Sequence, residues 1–445
     1  MENSFPYLFL WLLAGIGVIV LLTAKYRVHA FFALIIACFV VGLGVHLSVQ
    51  SVVASIKNGF GDIMKSLGLI IVFGTTLGVL LEHSGSTKVM ASFILKRTGE
   101  RYAALAMSIT GFFVGLPIFC DSGFIVLSGL NKSLAKRTGI SLAIMSVSLA
   151  TGLYSVHCLI PPHPGAAAAA GLLGVDFGKL ILMGIIVALP TAFAGYLWAN
   201  HAGKKTAGQF IQEETEKETE PSKPPPVMRA FLPVMVPIAL IAVKSFFILD
   251  AAAVPAWLNA LLALGDPVIA LAIGVVLALP YGQLKKRETL PSLLRDAAEK
   301  AGSILVIIGA GGAFGAVLAA TSIGKQFGNS ETLIHMGILF PFLLTFILKT
   351  AQGSSTVAII TAVSIIQPLL PALGLNTETG RLFCILSMGA GSMMISHAND
   401  AYFWVIARFS GLDMKTMLKV YSVSTVFMGI TAMLMVCLLK RLFGV

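Results

Sequence analysis

Two short stretches of this chain place ionisable side chains inside apolar runs. "HCLIPPHPG", residues 157–165, follows "SLAIMSVSLATGLYSV" and precedes "AAAAAGLL". A long helix avoids interior proline, which removes a donor and clashes with the preceding turn. Here Pro161, Pro162 and Pro164 interrupt the run, and His157 and His163 stand at the interruption. The second stretch, "MISHANDAY" at 394–402, carries His397, Asn399 and Asp400. Two polar links add to these: "FCDSGF" with Asp121, Ser122 and Gly123, and "QGSST" with Gln352, Gly353, Ser354, Ser355 and Thr356. Desolvated carboxylates and imidazoles can load and release protons near neutrality. Hydroxyls and amides both donate and accept, and helix N-termini freed at a break attract carboxylates. The set suits a small anionic polyhydroxy acid and the movement of a proton. Asp121 is the first candidate for proton carrier, Asp400 with His397 the second and His163 the third. Each feature also has a plainer role: prolines kink helices, a core histidine can be satisfied by its neighbours, and Ser354, Ser355 and Thr356 can simply close helix ends.

The elements that must position these groups are membrane helices. Of the 445 residues 57% are hydrophobic and 11% charged, and the mean hydropathy is +0.91. Several windows reach the roughly 18 apolar residues that cross a hydrocarbon core of about 30 Å. The first of them, from Phe5, has Glu2 before it rather than a basic region and no small-residue cleavage site, so it reads as a retained first span rather than a signal peptide. The net charge of +11 then belongs to loops anchored on one side of the membrane, not to nucleic acid. Five cysteines without a C-x-x-C pair point to neither a disulfide framework nor a zinc site. No cofactor is implied.

Residues 201–229 are charged and proline-rich and read as a flexible cytoplasmic linker. They separate a first half, 1–200, from a second, 230–445. The halves superpose at one spacing: Ile70, Gly74, Gly78 and Leu81 precede Ile307, Gly311, Gly315 and Leu318 by 237 residues, as Gly174 and Asp176 precede Gly411 and Asp413. At that spacing His163 falls opposite Asp400. Each half reads as three apolar helices (near 6–24, 29–47 and 64–83; near 230–249, 266–280 and 301–320), a pair of short apolar pieces around a polar link, a broken segment and a last helix (176–200; 415–439). The short pieces, 101–114 and 122–135 in the first half, are too short to cross untilted and read as a re-entrant hairpin. Five crossings per half make the two halves inverted repeats. The expected fold is therefore an all-α polytopic membrane protein with two inverted repeats of five transmembrane helices, one hairpin per repeat and broken helices at the midplane. Ten crossings put most of the 31 lysines and arginines, Lys96, Arg97, Lys136 and Arg137 among them, on one face and both termini outside the cytoplasm.

A Ser354–His397–Asp400 triad would make an intramembrane hydrolase, but one triad gives no reason for a duplicated chain. A metal transporter would need paired ligands at fixed spacing, and no helix shows His or Asp at i and i+4. A sodium-coupled carboxylate symporter is the closer alternative.

"GLPIFCDSGFIVL", "AQGSSTVAIITAV" and "SHANDAYFWVIARFSG", with "HCLIPPHPG" and "GAGGAFGAVL", resemble the gluconate:proton symporter family over essentially the whole chain. The resemblance implies proton-coupled uptake of gluconate or another small hydroxylated acid, D-serine included, across the bacterial inner membrane. It also implies homodimers in which a transport unit slides against a scaffold, as an elevator. Asp121 falls where the family resembled carries an acidic residue in the first tip. Ser122–Gly123 in place of bulkier apolar residues, and Cys120 in place of an aromatic, are departures that bear on substrate more than on mechanism. The Ser-Asn-Thr of sodium-coupled relatives is matched by neither "CDSG" nor "GSST".

Overall fold

The computed structural model describes residues 5–204, 225–246, 262–279, 289–321 and 335–443. Its helices in chain order are α1 (Phe5–Val20), α2 (Ala30–Gly44), α3 (Val49–His83), α4 (Ser86–Thr98), α5 (Ala103–Gly115), α6 (Cys120–Thr138), α7 (Leu142–Leu159), α8 (Pro164–Leu173) and α9 (Phe177–Gly203). They continue as α10 (Val227–Phe246), α11 (Pro267–Ala278), α12 (Thr289–Ala320), α13 (Leu339–Gln352), α14 (Ser355–Ile366), α15 (Glu378–Met393) and α16 (Ala401–Ser410). The last is α17 (Met414–Leu442), which contains a π turn at Met417–Ser422. No strand occurs among the described residues.

Helix starts are fixed by polar caps in an otherwise apolar chain. Asp176 accepts from Lys179 N at 2.8 Å and Asp413 from Thr416 N at 3.0 Å; His29 accepts from Phe31 N and Asp266 from Val268 N. In both cases cap and donor recur after 237 residues. The helices follow the same spacing. Helices α8 and α16 are both 10 residues long, begin at Pro164 and Ala401, and end at left-handed Gly174 and Gly411. Packing is exchanged in the same way: α2 lies on α12 and α11 on α3, while α8 packs on α14 and α16 on α6.

Helices α3 and α12 cross at the centre, where a Cβ built on Gly59 would lie 2.4 Å from Gly312 O and one on Gly312 2.6 Å from Gly59 O. Only glycine permits this backbone contact, the small-residue packing common between membrane helices. Both helices start earlier than the apolar windows indicated, at Val49 and Thr289 instead of near 64 and 301. The polar residues Lys57, Asp62, Lys65, Arg295 and Asp296 lie on amphipathic extensions rather than in loops. Helix α4 is also additional to the expected elements; left-handed Gly85 turns the chain out of α3 and Gly99 ends it.

Seven segments are long and apolar enough to cross a membrane: α1, α3, the α7–α8 segment, α9, α10, α12 and α17. Of the other three expected crossings, α2 and α11 have 15 and 12 residues, about 22 and 18 Å at 1.5 Å per residue. The third is α15–α16, divided by a non-helical break. The interior of the expected linker, 205–224, lies outside the described residues, as does most of the stretch between α12 and α13.

Candidate functional site

Four irregular segments meet in the interior: the α5–α6 tip, the α7–α8 break, the α13–α14 tip and the α15–α16 break. The first two come from the first half. Asp121, Ser122 and Gly123 occupy the first turn of α6, whose N-cap, Phe119, offers no side-chain hydrogen bond. Asp121 is half-buried, and its one side-chain contact among the described residues is the Cys120 thiol, 3.9 Å from Oδ1. Helix α8 also begins uncapped, because the His163 ring turns away from it. Buried His163 instead has Nε2 2.6 Å from Gly115 O, so this nitrogen carries the proton and donates to the first tip. His157, in the last turn of α7, lies 4.9 Å from the His163 ring and stacks on Tyr154. Its Nε2 is 3.4 Å from Thr356 Oγ1 in the second tip, and its buried Nδ1 has no partner.

The second half is tied more tightly. Asp400, 5% exposed, caps α16 by accepting from Tyr402 N through Oδ1, 3.0 Å away. Its Oδ2 accepts from Ser396 Oγ and from Lys349 Nζ, the latter at 2.6 Å. Lys349 is 1% exposed and also donates to Gly353 O at 2.5 Å. The break is held from behind by the π turn of α17: Ser422 Oγ donates to Ser396 O, and Ser396 N donates to Thr425 Oγ1. Gly353 is left-handed at φ +82°, and a Cβ there would come 2.1 Å from Asn399 O. Asn399 donates to Thr350 O at 2.7 Å, satisfying a carbonyl at the end of α13. Ser354 caps α14 by accepting from Val357 N, and Ser355 is buried behind it. Both polar atoms of the Gln352 side chain are buried without a partner.

The two halves interlock at this point. Thr356 meets His157, Phe124 meets Tyr402 edge to face, and Tyr402 donates to Ala150 O. Asp121 is close enough to Asp400 and Lys349 for both charges to act on it. All thirteen expected site residues thus lie on the four converging segments, in different conditions. Asp121, His157 and Gln352 keep unused polar capacity. Asp400, Asn399 and Ser354 are engaged in capping and pairing. Asp400 and His397 do not act as a side-chain pair: His397 meets Asp400 only through its carbonyl, which accepts from Asp400 N. With Asp400 taken by Lys349 and Ser396, and Ser354 by a cap, no hydrolytic triad is assembled. Among the described residues no three His, Cys, Asp or Glu side chains are grouped to hold a metal ion.

Sequence reading missed Lys349. The signal was present in "FLLTFILKTAQ", one lysine inside a 14-residue apolar helix; an ionisable group at such a place marks function by default. The Ser396–Ser422–Thr425 clamp left no comparable mark, because serine and threonine are ordinary in membrane helices.

A many-span helical bundle whose interior gathers broken helices, hairpin tips and ionisable groups has the construction of a membrane transporter. The family described as GntP family permease matches residues 7–442, and the chain belongs to that family, whose members are transporters rather than enzymes. It is 33% identical to the gluconate permease of Pseudomonas aeruginosa, over 96% of this chain and 95% of that protein. It is 31% identical to the D-serine transporter of Escherichia coli O6:H1, over 95% and 96%. Its fold resembles the crystal structure of the YdaH transporter of Alcanivorax borkumensis, with TM-score 0.61 and 14% identity over 89% of each chain.

Proposed function

We propose that this permease takes up gluconate, or a closely related small sugar acid, together with protons across the bacterial inner membrane. The observation that carries the reading is the unpaired Asp121 carboxylate at the uncapped start of α6, beside the partnerless polar atoms of Gln352 and His157. Unsatisfied buried polar groups each cost about 1–3 kcal/mol, and a polyhydroxylated ligand would satisfy them. The uncapped ends of α6 and α8 favour its carboxylate, and protonation of Asp121 removes the negative charge that would repel it. Asp121 is the proton carrier in this reading; the remaining site residues shape the cavity.

The recurrence of caps, helix lengths and exchanged packing at 237 residues supports two inverted repeats, 1–200 and 230–445, joined by a cytoplasmic linker at 201–229, with both termini outside. The hairpins and broken helices would form the moving unit of an elevator, paired in a homodimer. The gluconate permease among its relatives supports a sugar acid, and the D-serine transporter keeps a smaller hydroxylated acid as the second reading.

The test is uptake of labelled gluconate into proteoliposomes under an inward proton gradient and, separately, an equal sodium gradient, with D-serine as competitor. Accumulation under the proton gradient alone supports the reading. Accumulation only with sodium removes Asp121 as carrier, and displacement by D-serine but not by sugar acids moves the substrate.

A further inference from the structure

Lys349 is a full charge inside an apolar helix, and the transport reading above gives it no task. A buried ion pair brings little net stability, because desolvation offsets its attraction, and an apolar pair of similar volume often serves as well. Charges kept at such a place therefore point to use. Lys349 Nζ carries three protons. One goes to Asp400 Oδ2 and one to Gly353 O. The third has no hydrogen-bond acceptor among the described residues; the Tyr154 ring, its centroid 6.0 Å away, gives only a cation–π contact.

The unsatisfied polar atoms cluster around the same ammonium. Gln352 lies one turn further along α13, on the same face by its i, i+3 spacing, with Oε1 and Nε2 both unpaired. His157, with Nδ1 unpaired, is near enough for the Lys349 charge to act on it. The charged and ionisable groups facing Lys349 are Asp400 from the second break, Asp121 from α6, and His157 and Tyr154 from α7. Only Asp400 binds it directly.

We infer that Lys349 is the receptor for the substrate's carboxylate and that Asp400 occupies it until substrate arrives, so that the two carboxylates compete for one ammonium. The inference rests on the sugar-acid reading and names the contact that recognises the acid. An ammonium is a compact charge on a flexible stem with rotatable donors, so it can pass from one carboxylate to another without a change of backbone. The same Nζ holds the carbonyl of left-handed Gly353, so its displacement reaches the second hairpin tip directly. The substrate's hydroxyls then meet Gln352 and His157. A proton on Asp121 has to come first, because it removes the nearby negative charge that would repel the incoming anion.

The experiment measures gluconate exchange with the full chain in proteoliposomes, KM and maximal rate separately, for the native protein, Asp400→Asn and Lys349→Met/Asp400→Asn, alongside thermal unfolding of each. Asp400→Asn removes the competitor but leaves an acceptor, so KM should fall about 5-fold or more. The double variant loses both charges together and should unfold close to the native temperature, yet its KM should rise about 10- to 100-fold, the loss of one charge-assisted hydrogen bond. A double variant that exchanges gluconate with native KM overturns the inference and leaves Lys349 a structural pair. Should Asp400→Asn alone fail to fold, the double variant decides. If the native protein exchanges no sugar acid, the sugar-acid reading fails, an outcome distinct from a lysine that proves silent.

Discussion

The two helix breaks have one shape and two chemistries. Both lead into a 10-residue helix that ends at a left-handed glycine and is followed by an aspartate-capped long helix. At the first break His163 stands where Asp400 stands at the second. His163 turns back onto Gly115 O and leaves α8 uncapped; Asp400 caps α16 and binds Lys349 and Ser396. The hairpin tips differ in the same sense, since α6 starts uncapped with Asp121 unpaired, whereas α14 starts under a Ser354 cap. The duplicated frame has kept its geometry and divided its work: the first half leaves polar capacity open, and the second spends most of its own on holding tip and break together.

The largest effect that would break this division concerns the two acids. Asp121→Asn removes the open carboxylate without changing its shape. Proton-driven accumulation of gluconate should disappear while exchange of labelled for unlabelled gluconate continues, as measured in proteoliposomes. Concentrative uptake at the native level in that variant would mean that the first half does not carry the proton.

Stability should divide the other way. Asp400→Ala leaves the Lys349 ammonium buried and unpaired, a loss of about 3–5 kcal/mol. His163→Ala, at the equivalent position, deprives Gly115 O of its donor, about 1–3 kcal/mol. Chemical unfolding in detergent compares the two, and equal losses would erase the distinction between a locked and an open break. Glycine gives a smaller contrast of the same kind. Alanine at left-handed Gly174, where the nearest outside atom to a new Cβ is Arg381 Nη1 at 3.7 Å, should cost about 1–2 kcal/mol of backbone strain. Gly353→Ala carries that strain and also drives a Cβ into Asn399 O, so its melting temperature should fall clearly further.

What could be read from the sequence followed from contrast. Prolines and histidines in an apolar run marked the first break, "SHAND" marked the second, and glycine-flanked polar links marked both tips. The 237-residue spacing was legible because caps and left-handed glycines tolerate few residue types. The open or closed state of each polar group was not legible, because it depends on partners far along the chain: Lys349 lies 51 residues from Asp400, and Ser422 lies 26 residues from Ser396. The extensions of α3 and α12 were hidden for another reason. Their charges lower the local hydropathy, although the amphipathic pattern continues the helix.

The smallest test compares two residues that occupy one position in the duplicated frame and differ only in their surroundings. Asp176 caps α9 and also accepts from Ser245 Oγ at 2.6 Å, a link to α10. Asp413 caps α17, and the hydrogen bonds from the Thr416 side chain and backbone hold its carboxyl below the usual carboxylate range. Removing a cap costs typically about 1 kcal/mol, so Asp413→Ala should lower the melting temperature slightly and Asp176→Ala by more, because a second bond is lost with it. For Asp413 the pH dependence has a definite sign. A carboxyl whose folded-state pKa is depressed contributes stability above its unfolded value of about 3.9 and loses it as the pH falls through the lower folded value. The native protein and Asp413→Ala should therefore differ most at neutral pH and converge in acid. A difference that instead grew as the pH fell would show that the aspartate acts as a neutral hydrogen-bonding group, and the two caps would then not be equivalent after all.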